Sequence, residues 1–235
     1  FEGYGSISMP FSNHRGSIYY VPRGGDLWIR YPDGTLRNLT KLAGYGEEGQ
    51  QGTKSIAVRE PCVHWSGTKA VFSMVIGAPT KQYQLLDSYW QLYEITGLGQ
   101  GETPVITKVL GQPADYNNIS PTYGTDDRIL YASDRPRGGE RHLYPQLDEY
   151  ESFPTLVGLY SIDPASGDMR LLNHAPSGAF HPTVDSFGRV IFTRWDHLQR
   201  DQQADSSSAQ ATYSPVNYSN ESASATPGPY QAEIF

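Results

Sequence analysis

Cys62 and His64 stand two residues apart within an apolar and aromatic run, so on a β-strand their side chains leave the same face. A thiolate and an imidazole together suit Zn²⁺ or another transition-metal ion. Two donors do not make a site. The third must come from elsewhere in the chain, with His181 or Asp185 the available choices. The competing reading is a buried thiol beside a hydrogen-bonded core histidine. A second constellation, Asp196, His197, Arg200 and Asp201, follows Arg194-Trp195. It can bind a cation, position a His–Asp pair for proton transfer, or act as an electrostatic latch at the start of a long loop. Arg135 and Arg137 belong to the most basic stretch, Asp134-Arg-Pro-Arg-Gly-Gly-Glu-Arg-His, which reads as a solvated loop and a contact surface. No Gly-x-Ser-x-Gly elbow occurs, and no phosphate-cradling glycine loop precedes a helix. Nothing selects a catalytic set, so no catalytic activity is expected from this chain alone.

The elements that would carry these residues come from a repeat. Pro61-Cys-Val-His-Trp-Ser-Gly-Thr-Lys-Ala-Val-Phe-Ser, Pro121-Thr-Tyr-Gly-Thr-Asp-Asp-Arg-Ile-Leu-Tyr-Ala-Ser and Pro182-Thr-Val-Asp-Ser-Phe-Gly-Arg-Val-Ile-Phe-Thr-Arg follow one pattern. Each is a short strand, a polar turn and a β-branched, aromatic strand, recurring at a fixed spacing of the kind that marks stacked supersecondary units. Each has a second half: Trp90-Gln-Leu-Tyr-Glu-Ile with Pro104-Val-Ile-Thr-Lys-Val, then Gly158-Leu-Tyr-Ser-Ile with Met169-Arg-Leu-Leu. An earlier unit holds Ser17-Ile-Tyr-Tyr-Val and Asp26-Leu-Trp-Ile-Arg, where Asp33-Gly34 predicts a hairpin. Four antiparallel strands per unit (A to D), arrayed around a ring, predict an all-β protein: a β-propeller of four-stranded blades. The whole of 1–235 reads as a single propeller region with units at about 17–57, 58–114, 115–177 and 178–235. Three to four blades are present. Ile234-Phe235 matches Leu92-Tyr93 and Leu159-Tyr160, which open strand C. The expectation is therefore part of a larger ring, completed by further sequence or by a partner.

Extra residues fall between strands B and C, at about 76–88, 135–156 and 196–230. In a propeller those loops share one face, and repeat proteins bind through the face that carries their insertions. Segment 196–230 is too polar and small-residued to pack a core. The chain has 24 Gly, 17 Pro, 17 Tyr and 18% charged residues, which suits a turn-rich β fold. Its net charge of −7 argues against a nucleic-acid partner. No run of 18 apolar residues is present to span a membrane. The chain opens on Phe1 rather than Met, which leaves room for a removed leader.

The Pro-x-(Trp/Tyr)-Ser-type phrase, followed by Leu-(Trp/Tyr) and Asp-Gly, resembles the WD-like repeat of TolB-type propellers. Arg59-Glu-Pro-Cys-Val-His-Trp-Ser-Gly-Thr-Lys-Ala-Val-Phe-Ser-Met and Phe192-Thr-Arg-Trp-Asp-His-Leu-Gln-Arg-Asp resemble, more narrowly, the propeller middle domain of hydrazine synthase alpha-subunit-like proteins. The resemblance implies a periplasmic or extracellular protein and a haem-bearing neighbour. No Cys-x-x-Cys-His occurs, so no c-type haem attaches to this chain. The expected function is a scaffold that docks another domain or subunit through the B–C loop face. Two alternatives are a non-haem-bearing part of a multihaem redox enzyme, and a metal-dependent lyase with His64 and His181 among its ligands.

Overall fold

The computed structural model describes residues 16, 18, 21–81, 84, 86–135, 158–174 and 178–194. These residues are all-β apart from one helical turn, α1 (Leu39–Leu42), which Asn38 caps by accepting the Lys41 N–H at 2.9 Å. Four antiparallel sheets follow one another along the chain. The first pairs β1 (Trp28–Arg30) with β2 (Leu36–Asn38). The second is a meander of β3 (Gly52–Val63), β4 (Lys69–Ala78), β5 (Gln91–Thr96) and β6 (Val105–Lys108). The third repeats it with β7 (Asn118–Tyr123), β8 (Ile129–Ser133), β9 (Gly158–Ile162) and β10 (Met169–His174). The fourth pairs β11 (Ala179–Val184) with β12 (Val190–Arg194). Among the described residues no helix is long and apolar enough to cross a membrane.

Strand β4 shows why the sheets stack face to face. It is apolar on both faces, unlike a strand with one wet side. Ala70, Phe72 and Met74 turn toward Leu27 and Leu39 of the first unit, together with Ile56, Val58 and Ile95. Val71, with Leu92, turns the other way and meets Tyr123, Ile129, Tyr131, Tyr160 and Ile162 of the third sheet. Phe72, Met74, Val71 and Tyr131 are fully buried. At roughly 1.5–3 kcal/mol for each large apolar side chain removed from water, these two interfaces supply most of the driving force. A third cluster, Ala57, Val75, Trp90, Ile119, Ala132, Leu159, Ala179 and Phe180, ties sheets two, three and four together.

Turn contacts fix the angle between neighbours. Arg37 of the first sheet donates to the Gly99 and Glu102 carbonyls in the β5–β6 turn, and Tyr31 Oη donates to the Leu98 carbonyl. Gly111 lies against the Gly167 turn of the next sheet. A Cβ on Gly111 would come within 2.5 Å of the Gly167 oxygen, and both residues have positive φ. The expected hairpin at Asp33-Gly34 forms, but only Gly34 takes positive φ (+88°); Asp33 instead accepts the Thr35 N–H at 2.9 Å. Ile76, Gly77 and Ala78, assigned from sequence to a loop, belong to β4, because Ala78 pairs with Gly52. Of the proposed strand at 17–21 only Ile18 and Val21 are described; neither is in a strand, and both pack against the third cluster. Of the expected loop at 135–156 only Arg135 is described, and the loop at 196–230 lies outside the described residues.

One irregularity recurs in three sheets. The ladder slips between Arg59 and Cys62 in β3, between Ile119 and Thr122 in β7, and between Phe180 and Thr183 in β11. Each slip contains an X-Pro pair: Glu60-Pro61, Ser120-Pro121 and His181-Pro182. Proline has no N–H to give to a ladder, so it belongs at a bulge. The residue before it takes φ of +54° in all three cases.

Candidate functional site

The three bulges bring their X residues together. Strand β7 packs between β3 and β11, and Glu60, Ser120 and His181 converge where these strands kink. Glu60 Oε2 accepts the Ser120 backbone N–H at 2.6 Å, and Oε1 is paired with the Arg59 guanidinium at 2.8 Å. The His181 Nδ1 lies 3.5 Å from Ser120 Oγ and 3.9 Å from Glu60 Oε1. Arg59 is buried and also stacks over the Trp90 ring at 5.2 Å. An unpaired carboxylate or guanidinium would be costly at this depth, so each explains the other's presence. A left-handed conformation costs a non-glycine residue on the order of 1–3 kcal/mol. The site thus rests on backbone strain held by the flanking sheets.

Cys62 and His64 do face the same way, toward the third sheet, but they are engaged separately. Cys62 Sγ lies 3.4 Å from Thr122 Oγ1. His64 Nδ1 accepts the Ser66 N–H at 3.1 Å, which places its proton on Nε2, donated to Asp127 Oδ1 at 3.0 Å. Both imidazole nitrogens are occupied: Nδ1 within its own A–B turn by Ser66, and Nε2 by Asp127 in the turn of the next unit. The ring also packs against Trp65 and edge-on against Tyr123. His181 instead approaches Glu60 and Ser120, so the structure does not gather Cys62, His64 and His181 around one point. Asp185 is taken up by its own turn: it accepts the Phe187 and Arg189 N–H groups and the Arg189 guanidinium at 2.7 Å. Those bonds hold its carboxyl below the ordinary value. Among the described residues no group of three or more His, Cys, Asp and Glu side chains is arranged to hold a metal ion.

The basic stretch reads differently in three dimensions. Asp134 is buried, not solvated. Its two oxygens accept the backbone N–H and side-chain amide of Asn117, each at 2.7 Å. Asn117 in turn accepts the Trp90 N–H at 3.0 Å, so Asp134 anchors the second sheet to the third. Burial pushes its carboxyl up to about 7, against the bonds from Asn117 and from its own backbone N–H, which favour the ionised form. Arg135 lies along the same sheet, with Nη1 3.3 Å from Met169 Sδ and its carbonyl accepting from Tyr160 Oη. Arg137, Asp196, His197 and Asp201 lie outside the described residues. Sequence reasoning did not single out Glu60, Ser120 or Asp134. The signal available for the first two was the position preceding the repeated proline, which already contained His181.

No family model matches the chain, and no curated protein matches it.

Proposed function

We propose that the chain is an arc of a β-propeller, exported from the cytoplasm, that serves as a rigid scaffold for another domain or subunit. The observation that carries this reading is the shared X-Pro bulge on β3, β7 and β11, with β7 packed between the other two. Successive innermost strands around an axis would have that relation. The meander order of the second and third sheets, and their face-to-face burial, support it further. The loops between strands B and C would form the docking face. The resemblance to hydrazine synthase alpha-subunit-like proteins gives the partner a chemistry: a haem-bearing subunit, with this chain supplying walls and no electrons. Interfaces of this kind need a preformed, stiff surface, which the turn-to-turn bonds provide.

The test is native mass spectrometry of the assembly purified from its own source, with residues 136–157 and 196–230 replaced in turn by Gly-Ser linkers. Loss of the partner with the circular dichroism spectrum unchanged supports the docking face. A partner retained by both variants, or a stable chain of 26.1 kDa with none, overturns it. A pyridine haemochrome spectrum of the released partner decides whether it carries haem.

A further inference from the structure

We propose that residues 233–235 of this chain, Glu-Ile-Phe, add a third strand to the fourth sheet, pairing antiparallel along the open edge of β12. The first ground is the repeat, read position by position. In each unit the residue after the repeated proline pairs with the second strand: Cys62 with Val71, Thr122 with Leu130, and Thr183 with Ile191. These pairs align β12 with β4 and β8. Val71 is 0% exposed and Leu130 6%, but Ile191 is 54%. Ser73 and Ala132 are buried where Thr193 is exposed, and Met74 and Ser133 are buried where Arg194 is exposed. β4 is flanked by β5 and β8 by β9, whereas β12 pairs with β11 alone among the described residues. An open edge of this kind is a template for one more strand.

The second ground is what that edge would accept. In both complete sheets the third strand sets an aromatic ring beside one on the second strand. Phe72 pairs with Tyr93, ring centroids 6.1 Å apart, and Tyr131 with Tyr160 at 5.8 Å, both stacked. Each of these tyrosines follows a leucine, which lies opposite Ser73 or Ala132. The aligned residues of β12 are Phe192 and Thr193, so the added strand should bring an aromatic side chain to Phe192 and an aliphatic one to Thr193. Ile234-Phe235 supplies both, in the order of Leu92-Tyr93 and Leu159-Tyr160. Such an aromatic pair contributes about 0.5–1.5 kcal/mol beyond its burial.

The intervening sequence offers no rival. From residue 199 onward, Ile234-Phe235 is the only adjacent pair of large apolar side chains. Pro227-Gly-Pro, a few residues upstream, stops a helix and favours extended backbone. Residues 79–90 and 134–157 make the same step from second to third strand in the complete sheets, and 195–232 is longer than either, so reach does not limit the pairing. The inference uses only the four-strand order of the second and third sheets. It does not use what docks on the looped face, so either reading can fail alone.

The test is a cysteine pair in the C62S background, where the engineered thiols are the only two. Directly opposed residues have Cα separations that a disulfide spans, and a shift of one residue turns the side chain to the other face. In a glutathione buffer T193C/I234C should therefore give on the order of tenfold more intrachain disulfide than T193C/E233C, read by non-reducing electrophoresis and peptide mapping. Equal yields, a disulfide between two chains (a second copy on the edge), or no disulfide (another partner or no strand there) would each overturn the assignment. Deleting 233–235 gives a second reading that needs no cysteine. The β12 amides directed away from β11 should exchange on the order of tenfold faster, with β7 to β10 unchanged. Exchange unaltered by the deletion also overturns it.

Discussion

Replacing Asp134 by Asn should make the protein less stable than its parent, or equal to it, in mild acid and more stable above neutrality. The carboxyl moves from 3.8 to about 7 because its burial outweighs the bonds from Asn117 and from its own backbone N–H. Between those values the folded protein holds a proton that the unfolded chain has released. Stability therefore falls as pH rises through the window, and the loss is complete once both states are ionised. At 1.36 kcal/mol per pH unit the displacement is on the order of 4 kcal/mol. The asparagine cannot ionise, but its amide nitrogen would face one of the two Asn117 donors. That misfit costs about 1 kcal/mol near pH 4. The difference in urea-unfolding free energy, variant minus parent, should thus climb from about −1 to about +3 kcal/mol between pH 4 and pH 8. Taking the difference cancels the other carboxylates, including Asp33, Asp163 and Asp185, whose lowered values act in the opposite direction. A difference that stays flat with pH, or that falls, would refute the argument that burial controls this group.

Other outcomes follow from the same coordinates. Gly111→Ala forces a Cβ onto the Gly167 backbone at positive φ and should cost about 2–4 kcal/mol in thermal melts, whereas Gly44→Ala, with open space around it, should cost only about 1. Equal costs would mean that the inter-sheet approach is slack. Ser120→Gly relieves strain and should fall within about 1 kcal/mol of the parent. Glu60→Gly relieves the same strain but removes a charged partner of the buried Arg59, so it should lose clearly more than Ser120→Gly, on the order of 2–3 kcal/mol. In an alkaline ultraviolet titration, Tyr93 and Tyr160 should stay protonated up to about 12, because burial disfavours the phenolate. Stability should then decline as pH rises from 10 toward 12. Native-state ionisation of all tyrosines near 10 would contradict the described packing.

Much of the fold was legible because the signals are local. The Pro61, Pro121 and Pro182 spacing, the alternating apolar runs, and the Gly34, Gly67 and Gly188 turns each fix a strand or a hairpin without reference to distant residues. That Cys62 and His64 share a face followed from strand periodicity alone, and it holds. The fate of their donors did not follow, since Asp127 and Thr122 come from the next repeat. The left-handed Glu60, Ser120 and His181 were hidden for a stronger reason. The residue before proline is ordinarily driven toward extended conformations, so local rules point away from what the ladder imposes. Asp134 was misread because charge in a Gly-Pro-Arg stretch signals solvent, while its burial depends on Asn117, just before β7, and through it on Trp90, just before β5. Arg137, Asp196, His197 and Asp201 gain nothing from the structure, since they fall outside its described residues.

The recurring kink separates direction from identity. With φ at +54° in all three cases, the backbone sets where each side chain is sent, and the proline that follows keeps that backbone out of the ladder. At Ser120 the letter written at the position can then change with little effect on the sheets around it, whereas Glu60 is tied to the buried Arg59. Glu, Ser and His are three entries in a short alphabet, each read at the same place. A protein built this way can revise what it presents where these strands converge one repeat at a time, as far as partners such as Arg59 allow, while the frame that holds those substitutions stays constant.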